Sequence, residues 1–498
     1  VTSAVGQLRA LAWLRWQMVR SPGARFALCL APFLLVWVLK AAVGSGAALT
    51  EPAFLAARQL APTAFLGFGV LAVIAPLTAG GGNEIVPSSE LVAYPVKPRT
   101  YFLGGLLLAP ANLVWVVQLL VLAAETAYLT RGVSWLPGAV TTAAFVLSLT
   151  ILGQAIAWTV VGLRQSRTGR RLVGALSLTL LGSAVVVIRA GMGDQVLAAS
   201  PTHTVVRAIS AGFGLRWLLT TAGLLLTAGL AVSLGSRACA WALSRPADVT
   251  TAGSSVLVRR RPARRSALAE LVAVDRASVW RASALRRGAL VLAVLPGLAA
   301  IGAAVPWASL VVLPGLVAAG AGLLFGVNAF CLDGSGALWL ASLPHDPRLV
   351  AKAKLIVLVE TVAGAIVVVL AVGTLRSPGV PTAAQLTAIA SAAIACGAVV
   401  VATCMAMSVD RPYRADLNGP RDAVAPPGAL ALASMRLALP AGLIGILLGG
   451  SAQSGIWWLP PVVATPLVAV SLLWLRQSLS SYGDVQVRAR IVQTVASG

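Results

Sequence analysis

Residues 383–408 read AAQLTAIASAAIACGAVVVATCMAMS, a stretch without a single charged side chain. A helix needs about 20 apolar residues to cross a hydrocarbon core of about 30 Å, and this stretch is long enough. Lipid offers no partner to a backbone N–H or C=O, so only helices and closed barrels cross it. Barrel strands alternate apolar and polar residues over about ten positions. This stretch is apolar on every side, and the reading is a membrane-spanning helix.

Similar runs lie on both sides of it. About twelve spans are expected, near 26–44, 60–80, 102–129, 136–162, 172–189 and 216–243, then near 288–305, 307–330, 354–375, 383–408, 429–449 and 456–475. The expected fold class is an all-α polytopic membrane protein with short loops. Span three is long enough to tilt, and Pro110 within it is placed to kink it. Composition agrees: 58% of the 498 residues are hydrophobic and 11% charged, against about 25% charged in soluble domains. The first apolar run begins only near Phe26, behind a basic helical segment, and no cleavable leader is expected there.

The net charge of +23 sits in short segments between the runs, which points to anionic membrane lipids rather than nucleic acid. Arg164, Arg167, Arg170 and Arg171 cluster after span four, and Arg411, Arg414 and Arg421 after span ten. The connection 450–456 carries no Lys or Arg. By the positive-inside rule both termini are expected to be cytoplasmic. The cysteines Cys29, Cys239, Cys331, Cys396 and Cys404 are scattered and read as small core residues.

The two halves repeat one another. Glu84 is followed eleven residues later by Pro95-Val96-Lys97-Pro98-Arg99, and Asp333 at the same gap by Pro344-His345-Asp346-Pro347-Arg348. Trp16 precedes Pro32 as Trp280 precedes Pro296. The expected organisation is a first six-helix half, 1–243, a basic cytoplasmic linker, 244–265, and a second six-helix half, 266–498. Six spans per half in one orientation make a parallel pseudo-repeat. Each half opens on an amphipathic helix, about 5–24 and about 266–287. Leu268, Leu271, Val272 and Val279 are apolar in the second; Trp13, Trp16 and Arg20 in the first, and Arg276, Trp280 and Arg281 in the second, suit a headgroup plane.

Each P-x-x-P-R is expected to be a stiff elbow, because proline fixes φ and restrains the residue before it. An amphipathic lead-in helix, six spans and an acid followed by this elbow after span two resemble the ABC-2-type permeases of bacterial ABC exporters. The resemblance implies that the lead-in helix and the loop between spans two and three meet an ATPase. It carries Glu84, Glu90, Pro95, Pro98 and Arg99 to that coupling role in the first half. In the second it carries Asp333, Pro344, Asp346, Pro347 and Arg348. Trp339 stands where the first half has Glu90. The family usually has one six-span unit per chain, and here the unit is doubled.

No G-x-x-x-x-G-K-[ST] occurs, so the chain itself is expected to be neither an ATPase nor another enzyme. ATP and Mg would be bound by two copies of a separate nucleotide-binding subunit. The only histidines, His203 and His345, fall in loops on opposite sides, and no metal site is expected. Glu360, inside span nine, together with Gln118 and Gln154 are candidates for a translocation pathway, since intramembrane carboxylates are costly and often functional. Mostly apolar cavity walls favour an amphipathic or hydrophobic small molecule or peptide as cargo. Two other functions fit the pattern: a proton-coupled secondary transporter using Glu360, and a non-transporting membrane scaffold.

Overall fold

The computed structural model describes residues 61–70, 96–106, 113–130, 135–245, 266–282, 305–413 and 427–496, with scattered single positions elsewhere. Among the described residues every regular element is helical. Seven helices among the described residues are long and apolar enough to cross a membrane: Trp135–Arg164, Leu215–Leu243, Trp307–Leu324, Arg348–Gly373, Ala383–Asp410, Leu432–Gln453 and Leu459–Tyr482. They coincide with expected spans four, six and eight to twelve. Ala61–Val70 is a shorter apolar helix within expected span two. Most of expected spans one and seven lies outside the described residues, as do Pro110 and linker residues 246–265. The chain divides into two compact units, Val1–Ser254 and Ser255–Gly498, at a boundary inside the expected linker.

The first unit contains α1 (Ala61–Val70), α2 (Pro98–Leu106), α3 (Leu113–Leu129), α4 (Trp135–Arg164), α5 (Arg167–Arg189), α6 (Gly193–Ala199), α7 (Pro201–Ala211) and α8 (Leu215–Leu243). α8 shows how these helices associate. Its buried stripe is Ala228, Ala231, Gly235, Cys239 and Ala242, while Leu218, Leu219, Leu226, Leu230 and Leu234 point outward. Small residues at the contact let backbones approach, and large apolar ones on the outside suit lipid. A Cβ added at Gly235 would lie 2.4 Å from the Phe102 ring and 2.9 Å from Ala155 Cβ.

Hydroxyls join the helices further. Thr141 Oγ1 lies 3.0 Å from Thr221 Oγ1, Ser148 Oγ donates to Leu224 O at 2.7 Å, and Trp115 Nε1 donates to Thr150 Oγ1 at 3.0 Å. The connection between expected spans five and six, which holds His203, is folded into α6 and α7. α7 buries Val205, Val206 and Ile209 against Phe65, Phe145 and Leu122.

The second unit contains α9 (Ala267–Arg281), α10 (Trp307–Leu310), α11 (Leu313–Ala321), a π turn (Gly322–Gly326), a 3-10 turn (Cys331–Asp333), α12 (Gly336–Ser342), α13 (Arg348–Gly373), α14 (Ala383–Asp410), α15 (Pro427–Gln453), α16 (Leu459–Tyr482) and α17 (Val485–Ala496). α14 is its axis, with Ala388, Ala392, Ala395, Cys396 and Val400 buried in the main core. Ser408 Oγ, near the end of α14, donates to Gly326 O at 2.9 Å and accepts from Ala329 N at 3.0 Å. It thereby satisfies backbone groups at the end of the π turn. α17 packs Ile491 and Val495 into a cluster with Phe330, Ala337 and Val350, beneath the loop that follows α11.

Candidate functional site

The site is built where the second unit's lead-in helix, its loop and α13 meet. Ser266 starts α9 as an N-cap, its hydroxyl accepting from Ala269 N at 3.2 Å. Val272 and Val279 then lie on one face and pack against Ala353 and Val357 of α13, with Leu268, Leu271 and Leu332 around them. The apolar stripe of the lead-in helix is thus packed against α13. What α9 exposes is Val274, Arg276, Arg281 and Trp280, the last 59% exposed.

Asp275 lies on the buried face, three residues from Val272 and four from Val279. Its carboxylate is covered by α13, where Lys354 Nζ lies 2.5 Å from Asp275 Oδ1 and 2.6 Å from Asp333 Oδ1. Lys354 is 4% exposed and Asp333 20%. One ammonium thus ties α9, the 3-10 turn and α13 together. With both carboxylates ionised the triad carries one net negative charge. Burial pushes the Asp275 carboxyl above its ordinary value despite Lys354, and the Asp333 charge adds to the rise. Cys331 lies beside the triad, in contact with Leu285, Ala282 and Leu324, and burial raises its thiol to about 12.

The next residue of α9, Arg276, donates to both carboxylate oxygens of Glu360 on α13, at 3.0 Å and 2.6 Å. This pair is about half exposed, and hydrogen bonding to Glu360 raises the Arg276 guanidinium. Glu360, a candidate pathway carboxylate, is therefore held by the lead-in helix. The other two pathway candidates lie in the first unit: Gln154 is buried in α4 and Gln118 is half-buried in α3.

The P-x-x-P-R elbows are seen from their ends. In the first unit Pro98 opens α2 and Arg99 is exposed; Glu84, Glu90 and Pro95 lie outside the described residues. A proline at a helix start gives up no hydrogen bond and supplies the helical φ. In the second unit Pro344 is exposed, Asp346 Oδ1 accepts from Arg348 N at 3.0 Å, and Pro347 precedes α13. Asp346 therefore serves the helix start, and Asp333 is turned inward to Lys354. This loop also turns large apolar side chains outward: Leu338 is 55% and Trp339 76% exposed on α12. Of the first lead-in helix, Trp13 is helical and exposed, while Trp16 and Arg20 lie outside the described residues.

Asp275 and Lys354 are not among the residues singled out from the sequence. The signal for Asp275 is there, a carboxylate in register with an apolar stripe; Lys354 is the last of three cations, after Arg348 and Lys352, before span nine becomes apolar. The first half has no counterpart of the triad. In the register that pairs Trp16 with Trp280, Asp275 falls on Leu11 and Arg276 on Ala12. In the register that pairs Pro95 with Pro344, Lys354 falls on Gly105 and Glu360 on Ala111, and only Asp333 keeps an acid, Glu84. No protein-family model matches the chain, and no match to a curated protein or to a solved structure was found.

Proposed function

We propose that the chain is the membrane-spanning permease of an ATP-driven exporter of the ABC-2 type, with both six-helix halves in one polypeptide. In this reading it has twelve spans, lies in a bacterial cytoplasmic membrane and keeps both termini in the cytoplasm. Two copies of a separate nucleotide-binding subunit bind ATP and Mg. Their closure pushes on the elbows after spans two and eight, and the halves rock to pass an amphipathic or hydrophobic cargo outward. The observation that carries the reading is α12. A short helix directly before the second elbow turns Leu338 and Trp339 outward while Ala337 packs it onto α17. Large apolar side chains exposed on a loop mark a contact surface. The Arg276 partner of Glu360 speaks against the proton-coupled alternative, because a carrier carboxylate has to give up its cation to take a proton.

The test is photo-crosslinking in intact membranes. Benzoylphenylalanine at position 339 is expected to capture a polypeptide that an azido-ATP probe also labels. The same group at Val380, 91% exposed beyond the far end of α13, is expected to capture none. A helix of this length separates the two positions by about 40 Å. Absence of an ATP-labelled adduct at 339, or equal adducts at both positions, would sink the proposal.

A further inference from the structure

The loop that follows α11 is flanked by two permissive backbone points. Upstream is the π turn Gly322–Gly326, where Gly322 and Gly326 leave room for Cys404; a Cβ at Gly326 would lie 2.5 Å from its Sγ. π turns inside membrane helices mark places where the hydrogen-bond ladder shifts. Downstream is Gly334, at φ +49°, with open space around it. Between them the 3-10 turn Cys331–Asp333 is held to the rest of the unit by Asp333 and by the packing of Cys331. α9 is likewise attached to α13 by Asp275, Arg276 and two valines.

We propose that Lys354 is a charge latch: it holds the lead-in helix through Asp275 and the loop through Asp333, so that both move with α13 as one body. Both arms depend on one ammonium, and losing either carboxylate leaves the other pair neutral and intact. Losing the lysine leaves two carboxylates buried together, and both elements let go. In the sequence register of the elbows the first half keeps an acid, Glu84, at the place of Asp333, and has Gly105 at the place of Lys354. The latch itself does not depend on which partner pushes.

Cys331 is the native reporter, buried under the loop beside the triad. Labelling by a water-soluble maleimide at neutral pH, read at Cys331 by mass spectrometry on the full chain in nanodiscs, measures release of the loop. Lys354→Met is expected to speed labelling at least tenfold. The triple variant Asp275→Asn/Asp333→Asn/Lys354→Met, which removes the charges and keeps the volumes, is expected to return to within about threefold of the wild-type rate. Wild-type labelling in Lys354→Met would overturn the latch. So would a triple variant as fast as the single one, since the lysine would then act by packing alone. Should Lys354→Met fail to accumulate, the single carboxylate variants decide. Asp333→Asn is expected to free Cys331 while amide exchange in α9 stays slow, and Asp275→Asn to do the reverse; identical effects of the two would contradict a shared cation with separable arms.

Discussion

Lys354 brings one positive charge to two carboxylates in a place where water is scarce, and the energies there are large. Breaking a buried pair by removing one partner costs about 3–5 kcal/mol, because a charge is left without compensation. Burying Val272 and Val279 against α13 contributes about 1.5–3 kcal/mol each. Loss of the lysine therefore cancels most of what the apolar contact contributes to docking α9. Asp275 was legible as an anomaly, an acid in register with Leu268, Val272 and Val279. Its partner was not, because Lys354 is more than seventy residues away in sequence and looks like an ordinary charge at a membrane boundary.

Among the elements, the spanning helices were the most legible, because a run of about 20 apolar residues has few alternatives in a lipid solvent. The residues that make them stick together are less visible, since Ala and Gly look alike in a hydropathy profile. α8 offers a direct comparison. Gly235→Ala puts a methyl against the fully buried Phe102 ring and Ala155, and overpacking costs about 1–3 kcal/mol. Gly229, on the same helix, has open space around it, and Ala there should gain the helix preference of about 1 kcal/mol. Unfolding in mixed micelles should show Gly235→Ala destabilised and Gly229→Ala unchanged or slightly more stable; equal effects would mean that the small-residue stripe is no packing surface. α6, α7 and α17 went unread for a different reason. Each is short and mixes charge with apolar residues, and Val205, Ile209, Ile491 and Val495 take on meaning only once the elements they pack against are in place.

Across the whole chain, the repeat of the P-x-x-P-R elbows and the preceding acids points to two copies of one plan, and the structure separates two units at the place between them. The two units differ in what lies between and beside their helices. The first unit carries α6 and α7 between its last two expected spans, where the second passes from α15 to α16 through residues 454–458. The second unit carries the Lys354 triad, the Arg276–Glu360 pair and α17. The proposed exporter function rests on a partner ATPase, and that is where it is most open to test. The most direct measurement is a mild-detergent pull-down of the tagged chain, followed by ATPase assay and subunit counting of what co-purifies. Two copies of a nucleotide-binding subunit per chain, with hydrolysis that Trp339→Glu lowers at least tenfold, is the predicted result. A chain that purifies alone and without ATPase activity, under conditions that keep other membrane complexes intact, would contradict the account.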